Sequence, residues 1–153
     1  MLTWKHVECE LTLILIPTLT LILTLTLRWE WPAYKPVRVT SQHEYDLPSC
    51  AACAAWLAHE TLGPRWAQMT ITAAEHLESG VPAPRLFGSG TDVAKFHENA
   101  TLVSLCAPRP EQRKLAARAL RALKQPRHPG VVRAVEAERG RAAVVDGAGM
   151  VID

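Results

Sequence analysis

The strongest secondary-structure signal in the chain lies in residues 111–132, EQRKLAARALRALKQPRHPGVV. Apolar side chains recur there at helical spacing, at Leu115, Ala119, Leu120 and Leu123. Pro110 suits the first position of a helix, where no backbone N–H donor is needed, and Pro126 cannot continue one. The pattern therefore predicts one amphipathic helix that begins at Pro110 and ends before Pro126.

Short apolar runs on both sides of this helix are typical of strands. They are VAKF (93–96) and ATLVSLC (100–106) before it, and VVRAVEAE (131–138) and RAAVVDG (141–147) after it. A two-residue connection, Arg-Gly, separates the last two runs, as in a β-hairpin. With the run that begins at Arg85, the order is strand, strand, strand, helix, strand, strand. The expected fold class is α+β: a small antiparallel sheet of about five strands with one packed helix.

This order of elements resembles the N-terminal lobe of protein kinases. The helix runs into His128-Pro129-Gly130-Val131-Val132, which is similar to the motif that follows the αC helix of kinases. The alanine- and arginine-rich helix, with Arg127 before His-Pro, most resembles the Scy-like pseudokinases. The resemblance covers about residues 85–150 and implies a non-catalytic scaffold in intracellular trafficking that binds protein partners through the kinase-like lobe.

The same resemblance implies that the chain is not an enzyme. Cys106 stands where the phosphate-binding lysine of kinases belongs, and Ala119 stands in place of the glutamate that braces it. The sequence contains no catalytic-loop or metal-binding motif of the second kinase lobe. Gly88, Gly90 and Lys95 are identified as a remnant of the nucleotide-binding loop, so ATP is the one cofactor considered, and no metal site is expected.

Residues 1–40 form a low-complexity apolar segment followed by a linker. Residues 11–27, LTLILIPTLTLILTLTL, contain no charge and alternate with a period of two, which is the strand pattern. As a helix the same run would be just long enough to cross a bilayer. Trp4, Trp29 and Trp31 flank it, as aromatic residues flank membrane spans. Both interpretations, a strand or low-complexity segment and a membrane span, stay open.

Residues 41–84 are expected to form a helical extension before the kinase-like domain, 85–153. Ser49 is a suitable N-cap for a helix through SCAACAAWLAHETLG, and Gly63-Pro64 would end that helix. A second short helix would begin near Thr72 and end at Gly80, a residue type that adopts the left-handed conformation at helix ends.

Four cysteines, Cys9, Cys50, Cys53 and Cys106, are too widely and irregularly spaced for a small disulfide framework. We therefore expect reduced thiols and a cytoplasmic location, with membrane association through residues 11–27 as the alternative. Cys50 and Cys53 have the spacing of zinc and redox sites, but no second pair of ligands follows them. They are interpreted as small apolar residues on an alanine-rich helix.

Charge is distributed unevenly along the chain. Residues 1–108 hold seven basic and ten acidic side chains, whereas residues 109–153 hold ten basic and five acidic ones. The predicted helix carries much of this basic charge, but no aromatic residue is interleaved to stack on bases, so nucleic acid is not expected as a partner. The expected function is a non-catalytic scaffold or interaction module. The alternatives are a small membrane-tethered protein with a single span and an ATP-binding fragment of a protein kinase.

Overall fold

The computed structural model describes residues 31–38 and 46–148, with side chains described up to Val145. Six α-helices follow one another: α1 (Cys50–Ala58), α2 (Leu62–Glu78), α3 (Ala83–Phe87), α4 (Gly90–Cys106), α5 (Pro110–Leu123) and α6 (Pro129–Ala148). A 3₁₀ turn, Lys35–Val37, precedes them. Within these two ranges the only β pairing is an isolated bridge between Tyr34 and Leu47.

The predicted α+β fold with a sheet of about five strands is wrong, because helices occupy the proposed strands. VAKF and ATLVSLC both lie in α4, and the two runs of the proposed terminal hairpin both lie in α6. The buried side chains of α6 recur after four residues, at Val131 and Val135, which is the helical period. Periodicity alone cannot assign a short apolar run to a strand or to a helix, and in this protein these runs belong to helices.

The protein-kinase resemblance is wrong for the same reason. A kinase N-terminal lobe needs a strand on each side of its helix, whereas the described residues 85–148 contain only helices and turns. The His-Pro pair that suggested the kinase motif has a local role. His128 precedes α6, Pro129 is the first residue of that helix, and the backbone N–H of Val131 donates to the His128 ring at 3.4 Å.

The helix that the sequence predicted best is confirmed. α5 begins at Pro110 and ends at Leu123, and Lys124 turns the chain in the left-handed conformation with a φ of 56°. Its inward face is apolar, with four buried residues: Ala116, Ala119, Leu120 and Leu123. This inward face of α5 packs against α2 and α4.

In the predicted helical extension, the start of the first helix is correct, whereas the boundary between its two helices is wrong. Ser49 caps α1, since its side chain accepts a hydrogen bond from the backbone N–H of Ala52 at 3.0 Å. The predicted stop at Gly63-Pro64 instead lies in the first turn of α2. Thr72, the predicted start of a second helix, lies in the middle of α2, and Gly80 follows its end with a φ of 96°.

An aromatic cluster fills the centre of the bundle. The Trp31 ring meets Phe87 and Phe96 edge-on, with centroids 5.7 and 5.0 Å apart, and Trp66 is buried nearby in the same core. The Trp31 indole N–H donates to the Thr70 hydroxyl at 3.1 Å. Residues 31–34, which the sequence placed in a linker, are therefore part of the core.

The apolar run at residues 11–27, for which a strand or a membrane span was considered, lies outside the described residues. In the part of the chain that the structure describes, no helix combines the length and the hydropathy that a bilayer crossing requires.

Candidate functional site

The three residues assigned to a remnant nucleotide loop lie at a helix–helix corner. Gly88 ends α3 in the left-handed conformation with a φ of 83°, and Gly90 is the first residue of α4. Lys95 lies on α4 itself, with its Nζ 3.9 Å from a carboxylate oxygen of Asp92 one turn earlier. The corner is therefore no loop between strands, and ATP binding there stays a prediction.

The expectation of four reduced thiols is wrong, because Cys50 and Cys106 form a disulfide. The bond joins the first residue of α1 to the last residue of α4, with Cα atoms 5.1 Å apart. Cys50 and Cys53 do lie on one alanine-rich helix, as predicted, but Cys53 is a buried free thiol. Burial raises the pKa of the Cys53 thiol to about 12, so this side chain is neutral at physiological pH.

A carboxylate beside the disulfide connects three parts of the chain. Glu138 of α6 accepts hydrogen bonds from the Tyr34 hydroxyl at 2.5 Å and from the backbone N–H of Cys50 at 3.0 Å. An acceptor with negative charge is well placed at the first N–H groups of α1. Burial, and then the hydrogen bond to Glu138, raise the pKa of Tyr34 above its usual value.

The second chemically distinctive feature is a row of cations on the outer side of α5. Residues 109–127 contain seven lysine or arginine residues and one acidic residue, Glu111. Four of the cations are exposed and lie at helical spacing on one side of α5 or at its end: Arg113, Lys114, Arg121 and Lys124. We call these four residues the basic face.

The Glu78 carboxylate forms its ion pair with Arg118 on the flank of α5, and the charge of Arg121 on the basic face makes a smaller contribution to lowering the pKa of Glu78. The guanidinium of Arg118 forms two parallel hydrogen bonds with the Glu78 carboxylate of α2, at 2.8 and 2.7 Å. That guanidinium holds the pKa of Glu78 below its usual range. In the described ranges no carboxylate lies within ion-pair distance of the basic face.

The first turns of α5 are anchored to the corner that carries the disulfide. The Arg113 guanidinium donates from one nitrogen to the carbonyl oxygens of Ala107 and Pro108, at 2.5 and 3.3 Å. The Gln112 side chain donates to the carbonyl oxygen of Leu57, near the end of α1, at 3.3 Å. Ala107 and Pro108, the two residues that follow Cys106, thus position Arg113 of the basic face.

No cluster of three or more metal-binding side chains occurs among residues 31–38 and 46–148. Comparisons with protein-family models, with curated proteins and with solved structures find no match to this chain. The sequence indicated the basic helix, whereas it gave no sign of the contact between Tyr34 and Glu138. These two residues are 104 positions apart, and neither belongs to a local motif.

Proposed function

We propose that the protein is a non-catalytic interaction module whose basic face binds an acidic segment of a partner protein. The observation that carries this proposal is the set of four exposed cations on α5 and at its end, none of which has a carboxylate within ion-pair distance in the described part of the chain. This keeps the expected scaffold role and replaces the kinase-like lobe with one face of a helical bundle.

The composition of the basic face favours an acidic protein over other anionic partners. Its remaining outward positions on α5 include Pro110 and the half-buried Ala117, and no aromatic residue that could stack on a base. Large apolar side chains, which anchor surface helices in a bilayer, are also missing from this side of α5. From Arg113 to Lys124 the cations extend over roughly 16 Å at 1.5 Å per residue, the length of about three helical turns.

We expect binding at this face to be weak and sensitive to salt. Exposed ion pairs contribute about 0.2–1 kcal/mol each, and charges at the surface are screened over roughly 10 Å at 0.1 M ionic strength. A contact of this strength suits a module that acts together with further contacts of the same partner. The absence of catalysis, and a cytoplasmic location, stay predictions.

The test measures the binding of a fluorescein-labelled, glutamate-rich peptide of about twelve residues to the full chain by fluorescence anisotropy at low salt. We expect the double variant Lys114→Glu/Arg121→Glu to bind about tenfold more weakly, because two attractions become repulsions. The matched control is Arg85→Glu/Arg133→Glu, which changes the net charge equally at two exposed positions on α3 and α6. This control should bind within about twofold of the unmodified chain.

Equal weakening in both double variants would contradict the proposal, since only net charge would then matter. Tighter binding of a single-stranded oligonucleotide of the same charge, or of anionic lipid vesicles, would assign the basic face to another class of partner and would overturn it as well.

A further inference from the structure

We propose that the Cys50–Cys106 disulfide is an exchange site for a dithiol reductant, and that its reduction weakens binding at the basic face. This inference rests on the proposed function and adds its regulation. It is carried by the incomplete burial of Cys50 and Cys106 and by the hydrogen bonds that lead from both ends of the disulfide to the first turns of α5.

The cysteines differ in their accessibility. Cys50 and Cys106 are both half-buried at the edge of the core, so neither end of the disulfide is fully enclosed. Cys53 is completely buried, although it lies one helical turn from Cys50. Because the nucleophile in exchange is the thiolate, the neutral Cys53 thiol does not compete for the disulfide at neutral pH. The exchange therefore needs an external dithiol.

Hydrogen bonds connect each end of the disulfide to α5. Cys106 ends α4, and the carbonyl groups of the next two residues, Ala107 and Pro108, accept from the Arg113 guanidinium. Cys50 begins α1. Near the end of the same helix, the carbonyl oxygen of Leu57 accepts a hydrogen bond from the Gln112 side chain. The disulfide fixes α1 and α4 to each other, and this pair of helices holds Gln112 and Arg113 in place.

The exchange proceeds in two balanced steps. One thiolate of the dithiol attacks a sulfur atom of the disulfide, forms a mixed disulfide, and releases the other cysteine as a thiolate that takes up a proton. The second thiolate of the dithiol then breaks the mixed disulfide and leaves as the oxidised, cyclic reagent. Two electrons and two protons are transferred to Cys50 and Cys106. The first attack is favoured at Cys106, because the N-terminus of α1 stabilises the departing Cys50 thiolate, whereas the C-terminus of α4 would destabilise a Cys106 thiolate. The nearby Glu138 carboxylate reduces this preference.

Reduction removes the covalent link between α1 and α4, so the turn at Ala107 and Pro108, which holds Arg113, is less firmly fixed relative to α1. A partner that binds the reduced protein must then order this side chain, and pre-organisation is lost. We expect the affinity for the glutamate-rich peptide to fall about fivefold on reduction.

The experiment compares the full chain carrying Cys9→Ser in its oxidised form and after treatment with dithiothreitol, a small dithiol. Peptide affinity is measured by anisotropy, and amide hydrogen exchange is followed over residues 107–113 and, as a reference, over α2. We expect weaker binding and faster exchange at 107–113, beyond the general loss of protection, measured in α2, that accompanies the lower free energy of unfolding. The variant Cys50→Ser/Cys106→Ser should match the reduced form, and Cys53→Ala should respond to dithiothreitol like the unmodified chain.

The possible failures are distinguishable. If the oxidised protein does not bind the peptide, the proposed function fails, whereas equal affinity in both redox states refutes only the redox control. A loss of protection on reduction that is as large in α2 as at 107–113 would also overturn the inference, because the disulfide would then hold the whole fold and not the corner before α5.

Discussion

Two buried indole N–H groups each depend on one acceptor side chain. Trp31 donates to the Thr70 hydroxyl, and Trp66 donates to the Asn99 side-chain carbonyl at 2.9 Å. Asn99 in turn donates to the carbonyl oxygen of Pro32 at 2.9 Å, so both bonds help to hold residues 31–34 in the core. A buried polar group that loses its partner costs more than an average hydrogen bond contributes.

Thr70→Val tests this anchoring, because it removes the acceptor of Trp31 and keeps the shape of the side chain. We expect the free energy of unfolding to fall by about 1–3 kcal/mol, since a buried N–H is left without an acceptor. The control is Thr72→Val on the same helix, whose hydroxyl donates to the Gln68 carbonyl at a position that is not fully buried. Urea denaturation should place the control within about 0.5 kcal/mol of the unmodified chain. Equal losses in the two variants would contradict the structural role of Thr70.

The buried thiol of Cys53 predicts a loss of stability at alkaline pH. Its pKa rises from a usual value near 9 to about 12, so the folded state keeps a proton that the unfolded state releases. This contribution is complete below about pH 9 and is lost as the pH rises toward 12. We expect it to lower the free energy of unfolding by about 1 kcal/mol between pH 9 and pH 10.

Urea denaturation at a series of pH values, with Cys53→Ala as the comparison, measures this contribution. The alanine variant should lose less stability over that pH interval, whatever its stability at neutral pH. Parallel pH profiles would mean that the Cys53 thiol is not buried as described.

At the scale of the elements, two glycines in helices have opposite roles. A β-carbon at Gly63, in the first turn of α2, would overlap the carbonyl oxygen of Leu57, so α1 and α2 meet only because no side chain is present. Gly140, in the middle of α6, has no atom within 4 Å of such a carbon. The first glycine is required by packing, and the second only weakens its helix.

The same substitution at both glycines separates these roles. Gly63→Ala should lower the free energy of unfolding by about 3 kcal/mol or more, because backbone must move. Gly140→Ala should raise it by about 0.5–1 kcal/mol, since alanine is the better helix former. Thermal and urea denaturation measure both changes. A tolerated Gly63→Ala would show that the turn between α1 and α2 is built differently.

Local signals predicted some helix ends correctly and misplaced others, at Gly63-Pro64 and Thr72, and they failed in the interiors of α4 and α6. Ser49, Pro110 and Gly80 act by their own conformational preferences, so they could be recognised without knowledge of the fold. α4 and α6 contain runs with β-branched residues, valine and threonine in α4 and valine in α6, and these residue types are typical of strands. Two long helices were thereby predicted as pairs of strands.

At the scale of the whole molecule, the disulfide links residues 56 positions apart and closes a loop that contains α1 to α4. Cys50→Ala/Cys106→Ala should lower the free energy of unfolding by about 2–4 kcal/mol, mostly by enlarging the conformational freedom of the unfolded chain. Denaturation of this variant beside Cys53→Ala measures the difference. A loss below that of Cys53→Ala would indicate that the disulfide does not constrain the unfolded state in this way.

The sequence predicted only the part of the candidate site that lies on a single helix. The cations of the basic face follow from residues 113–124 alone, because one helix suffices to bring them together. The disulfide and the contact between Tyr34 and Glu138 depend on how the helices pack, and spacing along the chain carries no information about such distant pairs. The cysteine pattern was therefore interpreted as four reduced thiols.

The most direct test of a helical module with a docking face on α5 is a heteronuclear NMR titration of the ¹⁵N,¹³C-labelled full chain with the glutamate-rich peptide. We expect helical carbon shifts through residues 100–106 and 131–138, and the largest peptide-induced amide shifts at the basic face. Extended-chain shifts in those two runs, or peptide-induced changes centred on α6 or α3, would contradict the account.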